Sequence, residues 1–220
     1  MPDNKWYMLV YVAVAIVLPR IPVVGKFFNV INTGIHEFGH ALVALLLDGK
    51  VDKIELFRDT SGTTTTKTGG RFTAALVSLA GYPFAATVAC VSLYLVANGA
   101  SAALLAALTV LFVVMLLFWI RNAYGLLWVL LFCSLNVCLL CRDSQHLSEM
   151  AAFFYAVMMM TESVLSTVTI VVLSFRNSGK AGDATNLAKM THIPAPVWGL
   201  LFLAYTLWMA YRFVLLCLAA

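Results

Sequence analysis

Charge is what this sequence has least of. Asp, Glu, Lys and Arg together make up 11% of its 220 residues, whereas a soluble domain carries about 25%. So few charges cannot cover an aqueous surface, which excludes a water-soluble globule. Cysteine is too rare, and odd in number, for a disulfide framework. The five present all lie in or at the edge of apolar segments. Cys138 and Cys141 do form a C-x-x-C, but within an apolar run cysteine acts first as a small apolar residue. A basic stripe is also missing. The net charge is +4 and the cations are scattered between apolar runs, which argues against a nucleic-acid surface. No A-x-A-like cleavage site follows the apolar stretch from Trp6 to Leu18, and Pro19-Arg20-Ile21-Pro22 reads as a helix end. That segment is therefore expected to be retained. Internal repeats and low-complexity blocks are absent.

What the chain has in abundance is apolar length. Hydrophobic residues make up 62% of it, with a mean hydropathy of +0.93, so lipid is the solvent. A spanning helix needs about 20 mostly apolar residues. Seven segments qualify: 6–24, 28–47, 72–97, 101–119, 123–141, 150–174 and 195–218. The first is the weakest, since Pro19, Arg20 and Pro22 interrupt it. The expected fold is an all-α membrane protein, a single domain over 1–220 with about six to seven transmembrane helices. Trp6, Trp119, Trp128, Trp198 and Trp208 fall mostly near helix ends, as interfacial anchors do. The run Met158-Met159-Met160 is ordinary helix packing.

Two connections are long. Residues 48–71 carry Val51, Ile54, Leu56 and Phe57 among charges, then Thr63 to Thr66. This pattern predicts a small β-hairpin at the membrane surface, between the second and third helices. Residues 175–194 carry Gly179, Gly182, Asp183, His192 and Pro194 and read as a loop. With a cytoplasmic N-terminus and seven crossings, the inner side holds Lys5, Lys50, Lys53, Arg58, Lys67, Arg71, Arg121, Arg176, Lys180 and Lys189. The outer side keeps Arg20, Lys26, Arg142 and Arg212. This bias fits the positive-inside rule.

The chemistry-bearing motif is His36-Glu37-Phe38-Gly39-His40. Histidines four apart stand on one helix face and can share one zinc ion. The glutamate beside them is placed to take a proton from the activated water and return it to the leaving amine. All three lie deep in an apolar segment, where an ionisable residue costs roughly 2.5–3.5 kcal/mol and normally has a functional partner. The competing explanations are histidines bonded to neighbouring helices, with Glu37 paired to a base such as Arg121, or a proton or ion path.

On these residues the chain resembles the site-2 protease class of intramembrane zinc metallopeptidases, and within it the B-type subfamily. The likeness rests on His36 to Ala41, followed by Gly49-Lys50-Val51 and Ile54-Glu55-Leu56. Further matches are Ala80-Gly81-Tyr82-Pro83, Arg121-Asn122, and Gly182-Asp183-Ala184 with Pro194 and Trp198-Gly199 downstream. It covers residues 30–205. Only the first motif is highly specific. The Asn-Pro-Asp-Gly-type segment that carries the third ligand in better-known members is missing. By position, the resemblance implies Asp183 as that ligand, reaching the metal on a re-entrant Gly-containing loop. Glu162, at mid-helix, is its main rival, and Asp143, Glu149 and His192 are the other carboxylates and imidazole to consider.

The resemblance implies one zinc ion on His36, His40 and Asp183, with Glu37 as general base. The expected activity is hydrolysis of membrane-protein or membrane-peptide substrates within the lipid bilayer. The expected location is the cell membrane of a bacterium. The hairpin edge would guide an unwound substrate by strand addition. Two other functions stay open: a zinc-binding membrane protein without proteolysis, and an ion or metal transporter. The transporter reading lacks the second, matching interrupted half that such folds show.

Overall fold

Apolar runs separated by short polar connections fold into a helical bundle in the computed structural model, which describes residues 13, 14, 17, 20–22, 24–142 and 144–219. The elements in chain order are α1 (Val24–Leu46), β1 (Lys50–Leu56), β2 (Gly62–Lys67), α2 (Arg71–Ala97), α3 (Ser101–Phe118), α4 (Ala123–Cys141) and α5 (Gln145–Arg176). A 3-10 turn (Ser178–Lys180), α6 (Gly182–Thr191) and α7 (Ala195–Ala219) complete the chain. Among the described residues five helices are long and apolar enough to cross a membrane: α2, α3, α4, α5 and α7. The expected first segment, 6–24, lies mostly outside the described residues. Helix α1 matches the length of a span, but Asn29, Asn32, Thr33, His36, Glu37 and His40 make it less apolar than the other five.

The side chains that face outward are those of a lipid-exposed surface. Leu117, Leu127, Leu201, Tyr211 and Leu218 are all more than half exposed, which water would penalise and acyl chains do not. Inside, several hydroxyls on the spans are satisfied by their own helices. Thr87, Ser92, Thr109, Thr161 and Thr169 each donate to the carbonyl four residues back, as polar groups in lipid must. Helix α2 is central and packs on α1, α5, α6 and α7, while α3 pairs with α4 and rests on α5. The shared core runs from Val30, Ile31 and Ile35 through Phe112, Trp128 and Phe132 to Tyr155 and Met158. A smaller cluster holds α6 in place, with Ala184 and Leu187 packed among Ile170, Phe202, Leu79 and Tyr82.

The expected hairpin is present and lies along α1. Helix α1 stops at Asp48, whose φ is 55°, and Gly49 donates back to the Ala44 carbonyl at 2.8 Å. A Cβ on Gly49 would meet the Ala44 and Lys67 carbonyl oxygens at 2.8 and 2.9 Å, so only glycine fits this reversal. The chain then runs back along α1. Thr33 Oγ1 donates to the carbonyl of Thr60 at the hairpin tip, at 2.7 Å. Thr33 lies thirteen residues from the end of α1, about 20 Å at 1.5 Å per residue. The hairpin thus runs along α1 because α1 and β1 are joined too tightly for it to turn away.

Strands β1 and β2 pair antiparallel, Ile54 opposite Thr64 and Leu56 opposite Gly62, with one irregularity between Val51 and Lys53. The other edge of β1 is also occupied. Ile54 donates to the Trp119 carbonyl at 2.8 Å and accepts from the Arg121 N–H at 3.3 Å. The Asn122 carboxamide accepts from the Leu56 N–H at 3.2 Å and donates to its carbonyl at 2.5 Å. The α3–α4 connection therefore caps β1 as a short parallel partner. The sheet has two strands, so the outer edge of β2 is left without a strand partner among the described residues. The segment 175–194 differs from the expected loop: Ala184, Leu187 and their apolar contacts make half of it the helix α6.

Candidate metal centre

The site is built where three helices meet. On α1, His36 and His40 stack one turn apart with their rings edge to face at 4.6 Å. Helix α2 supplies two fixed contacts. The Val77 carbonyl lies 2.7 Å from His40 Nδ1. A carbonyl only accepts, so Nδ1 carries the proton and Nε2 presents its lone pair. One turn on, Gly81 lets the backbone of α2 lie against both rings. A Cβ there would stand 2.5–2.6 Å from His36 Cε1, His36 Nε2 and His40 Nε2. Helix α6 brings Asp183 in its first turn. Thr185 secures the preceding turn by donating to the Ser178 carbonyl and accepting from the Ala181 N–H.

Three potential ligand atoms converge at this point. Asp183 Oδ2 lies 3.2 Å from His36 Nε2 and 3.2 Å from His40 Nε2, and the two Nε2 atoms are 3.0 Å apart. One ligand atom from each residue falls within 4.8 Å of the other two. With no donor between them these lone pairs repel, and the arrangement requires a proton or a cation. Donors on a tetrahedral zinc with bonds of about 2.0–2.1 Å stand about 3.3 Å apart. The set of two imidazoles and one carboxylate therefore fits that ion in chemistry and spacing. Burial alone would push the Asp183 carboxyl up, but the facing imidazoles, His40 foremost, hold it well below the usual carboxylate range.

Glu37 is buried on the adjacent face of α1. Its Oε2 faces Thr64 Oγ1 of β2 at 2.7 Å, and the Glu37 carbonyl is 3.0 Å from the same hydroxyl. Gly62 closes over it, since a Cβ there would meet Glu37 Cγ at 2.7 Å. Glu37, both histidines and Asp183 line one cavity of about 430 Å³, together with Asn32, Thr33, Tyr82, Ser166, Asn186 and the hairpin residues 60–64. His40 is six residues from the end of α1 and Val77 six from the start of α2. Both place the centre about 9 Å inside the bundle.

Other residues singled out by the sequence lie elsewhere. Glu162 pairs with Arg20 at 2.8 Å. His192 ends α6 in a left-handed conformation, near Arg71. Glu149 meets Gln145 in the first turn of α5, and Asp143 lies outside the described residues. Arg121 is not paired with Glu37, because its guanidinium donates to the Ile120 and Phe118 carbonyls at the end of α3. The roles of Val77, Thr64 and Asn122 were not legible beforehand. Each acts through contacts between segments far apart in the chain.

Comparison with known families agrees with this architecture. The family model Peptidase M50B-like matches residues 7–213, nearly the whole chain. The chain belongs to the peptidase M50B-like family. No curated protein and no solved structure was found to match it. M50 members are membrane metallopeptidases and normally zinc-dependent, so this chain is an integral membrane protein of a peptidase family.

Proposed function

We propose that this M50B-like chain is a zinc metallopeptidase that hydrolyses peptide bonds in membrane-embedded substrates. His36, His40 and Asp183 would hold the ion, and Glu37 would act as general base. The observation that carries this reading is the convergence of three lone-pair donors at 3.0–3.2 Å beside a buried carboxylate. Zinc, when bound, supplies Lewis acidity, making water nucleophilic near neutral pH and polarising a carbonyl. The protein's own groups do the rest. Glu37 takes a proton from the attacking water and delivers it to the leaving amine as the C–N bond breaks. Thr64 holds that carboxylate in place from the hairpin side. Val77 fixes the His40 ring so that Nε2, not Nδ1, faces the cavity.

The substrate would be a membrane-spanning segment unwound within the bundle. A folded helix shields its peptide bonds, and the outer edge of β2 beside the cavity offers backbone pairing to an extended one. The inner connections carry the excess of Lys and Arg, so the open side of the site is assigned to the cytoplasm. The bilayer would be a bacterial cell membrane, with no nucleic-acid partner.

Metal analysis of the purified chain tests the centre. We expect about one zinc per wild-type chain, and loss of most of it in His36→Ala and Asp183→Ala. Glu37→Gln should keep the ion and abolish cleavage of a Leu-rich membrane-spanning peptide. Persistent cleavage by Glu37→Gln would falsify the mechanism, and undiminished zinc in Asp183→Ala would remove Asp183 as a ligand.

A further inference from the structure

Several hydroxyls lining the cavity have already spent their single proton. Thr33 donates to the Thr60 carbonyl at 2.7 Å, Thr64 to Glu37, Ser61 to Asp59 at 2.6 Å, and Ser166 to the Ser163 carbonyl at 3.1 Å. Tyr82 differs. Its ring is held on two sides, edge to face on His36 at 4.4 Å and tilted on Phe202 at 4.9 Å. Its hydroxyl has no hydrogen-bond partner among the described residues, and the half-buried side chain lines the cavity. Thr60 and Thr63 also lack one, but they sit on the hairpin, on the Glu37 side of the cavity. Tyr82 follows Gly81, the residue in closest contact with both imidazoles, so its phenol stands at the depth of the metal ligands.

A donor at that place would add to the Lewis acidity of the metal. When water adds to a peptide carbonyl, the new C–O bond forms as the π pair moves onto the carbonyl oxygen, and the water proton passes to Glu37. The oxyanion must then be stabilised until the carbonyl re-forms, the C–N bond breaks and nitrogen takes the proton. Asp183 is a carboxylate with nothing to donate, and the proton on Glu37 is the one the leaving nitrogen takes. We infer that the Tyr82 hydroxyl is a catalytic donor, hydrogen-bonding the carbonyl oxygen as it becomes an oxyanion while keeping its own proton. The inference rests on the peptidase reading above. The ring's two packing contacts pre-position the hydroxyl, so no reorganisation is needed during the reaction.

Tyr82→Phe removes the oxygen and keeps the ring packing, which makes it the decisive variant. The full zinc-loaded chain in detergent would be assayed three ways: zinc content, kcat and KM on a Leu-rich membrane-spanning peptide, and affinity for an N-protected Leu-Leu phosphinic dipeptide beside its amide counterpart. The phosphinate carries the tetrahedral shape and charge of the oxyanion; the amide does not. Zinc content and KM should stay within about twofold of wild type. A fall in kcat of about 100–1,000-fold is expected, the range for loss of one oxyanion donor. Phosphinate binding should weaken by about 100-fold, with the amide's binding unchanged. Loss of zinc in Tyr82→Phe, an unchanged kcat, or equal phosphinate affinity in variant and wild type overturns the inference. A wild type that prefers the phosphinate over Tyr82→Phe yet cleaves nothing upholds the donor role and overturns the proteolytic reading instead.

Discussion

Each histidine is held by something other than its own helix. The motif spacing puts both imidazoles on one face of α1, but their orientation depends on α2. The Val77 carbonyl sets the tautomer of His40 at 2.7 Å, and the missing Cβ of Gly81 leaves room for both rings. Gly81→Ala would place a carbon within 2.5–2.6 Å of three imidazole atoms, well inside contact distance. The rings must then rotate away from Asp183. Zinc affinity should fall about 10–100-fold, the range seen when support around a metal ligand is lost, with little change in helical circular dichroism. Competition with a chelator of known affinity measures this, and wild-type affinity in Gly81→Ala would show that the close approach is not needed. The motif's donors were evident from the residues alone. The need for glycine at 81 was not, because it is a distance between two helices and leaves no periodic trace.

The hairpin shows how an element can be foreseen while its packing is not. Alternation of Val51, Ile54 and Leu56 with charged residues correctly predicts strand, and the threonine run predicts its partner. That packing follows from three residues, Leu47 to Gly49, which turn the chain straight back along α1. A sheet edge at membrane depth must be paired or wet. On the β1 side the pairing comes from Asn122, whose carboxamide imitates a strand residue toward Leu56. Asn122→Ala removes two hydrogen bonds of about 0.5–1.5 kcal/mol each. The Leu56 amide should therefore exchange with deuterium faster, by about tenfold for each 1.4 kcal/mol lost, while amides in α5 keep their protection. Uniform acceleration across the chain would point to global unfolding instead. Helix α6 is the opposite case. Its Gly-flanked polar composition reads as loop, and only the apolar pocket between α2, α5 and α7 makes it a helix.

For the whole molecule, the polar chamber is lined by α1, the hairpin, α6 and two of the five candidate spans among the described residues, α2 and α5. The hairpin and α6 both line the chamber, and the connections that carry them hold Lys50, Lys53, Arg58, Lys67, Arg176 and Lys180. Thr66→Cys on β2 and Lys180→Cys before α6, each made with the five native cysteines replaced, should react with an impermeant thiol reagent from the same face of sealed vesicles. Labelling from opposite faces would overturn the assignment of sides. Leu127→Cys, on the lipid-facing surface of α4, should stay unlabelled from either face.

Composition, hydropathy and the spacing of one motif determine that this chain lives in a bilayer, roughly where its long apolar helices lie, and which residues on α1 have metal-ligand spacing. These properties are local: a run of apolar side chains, or two histidines four apart, has the same consequence in any helical membrane protein. Tertiary structure decides the rest. It sets which carboxylate faces the imidazoles, pairing Glu162 with Arg20 and placing Asp183 at 3.2 Å from both. It brings the hairpin over Glu37, and it sets the Tyr82 ring against His36 in the same cavity. These are relations between residues far apart in the chain, set by how closely the helix backbones approach, and no spacing within one segment encodes them.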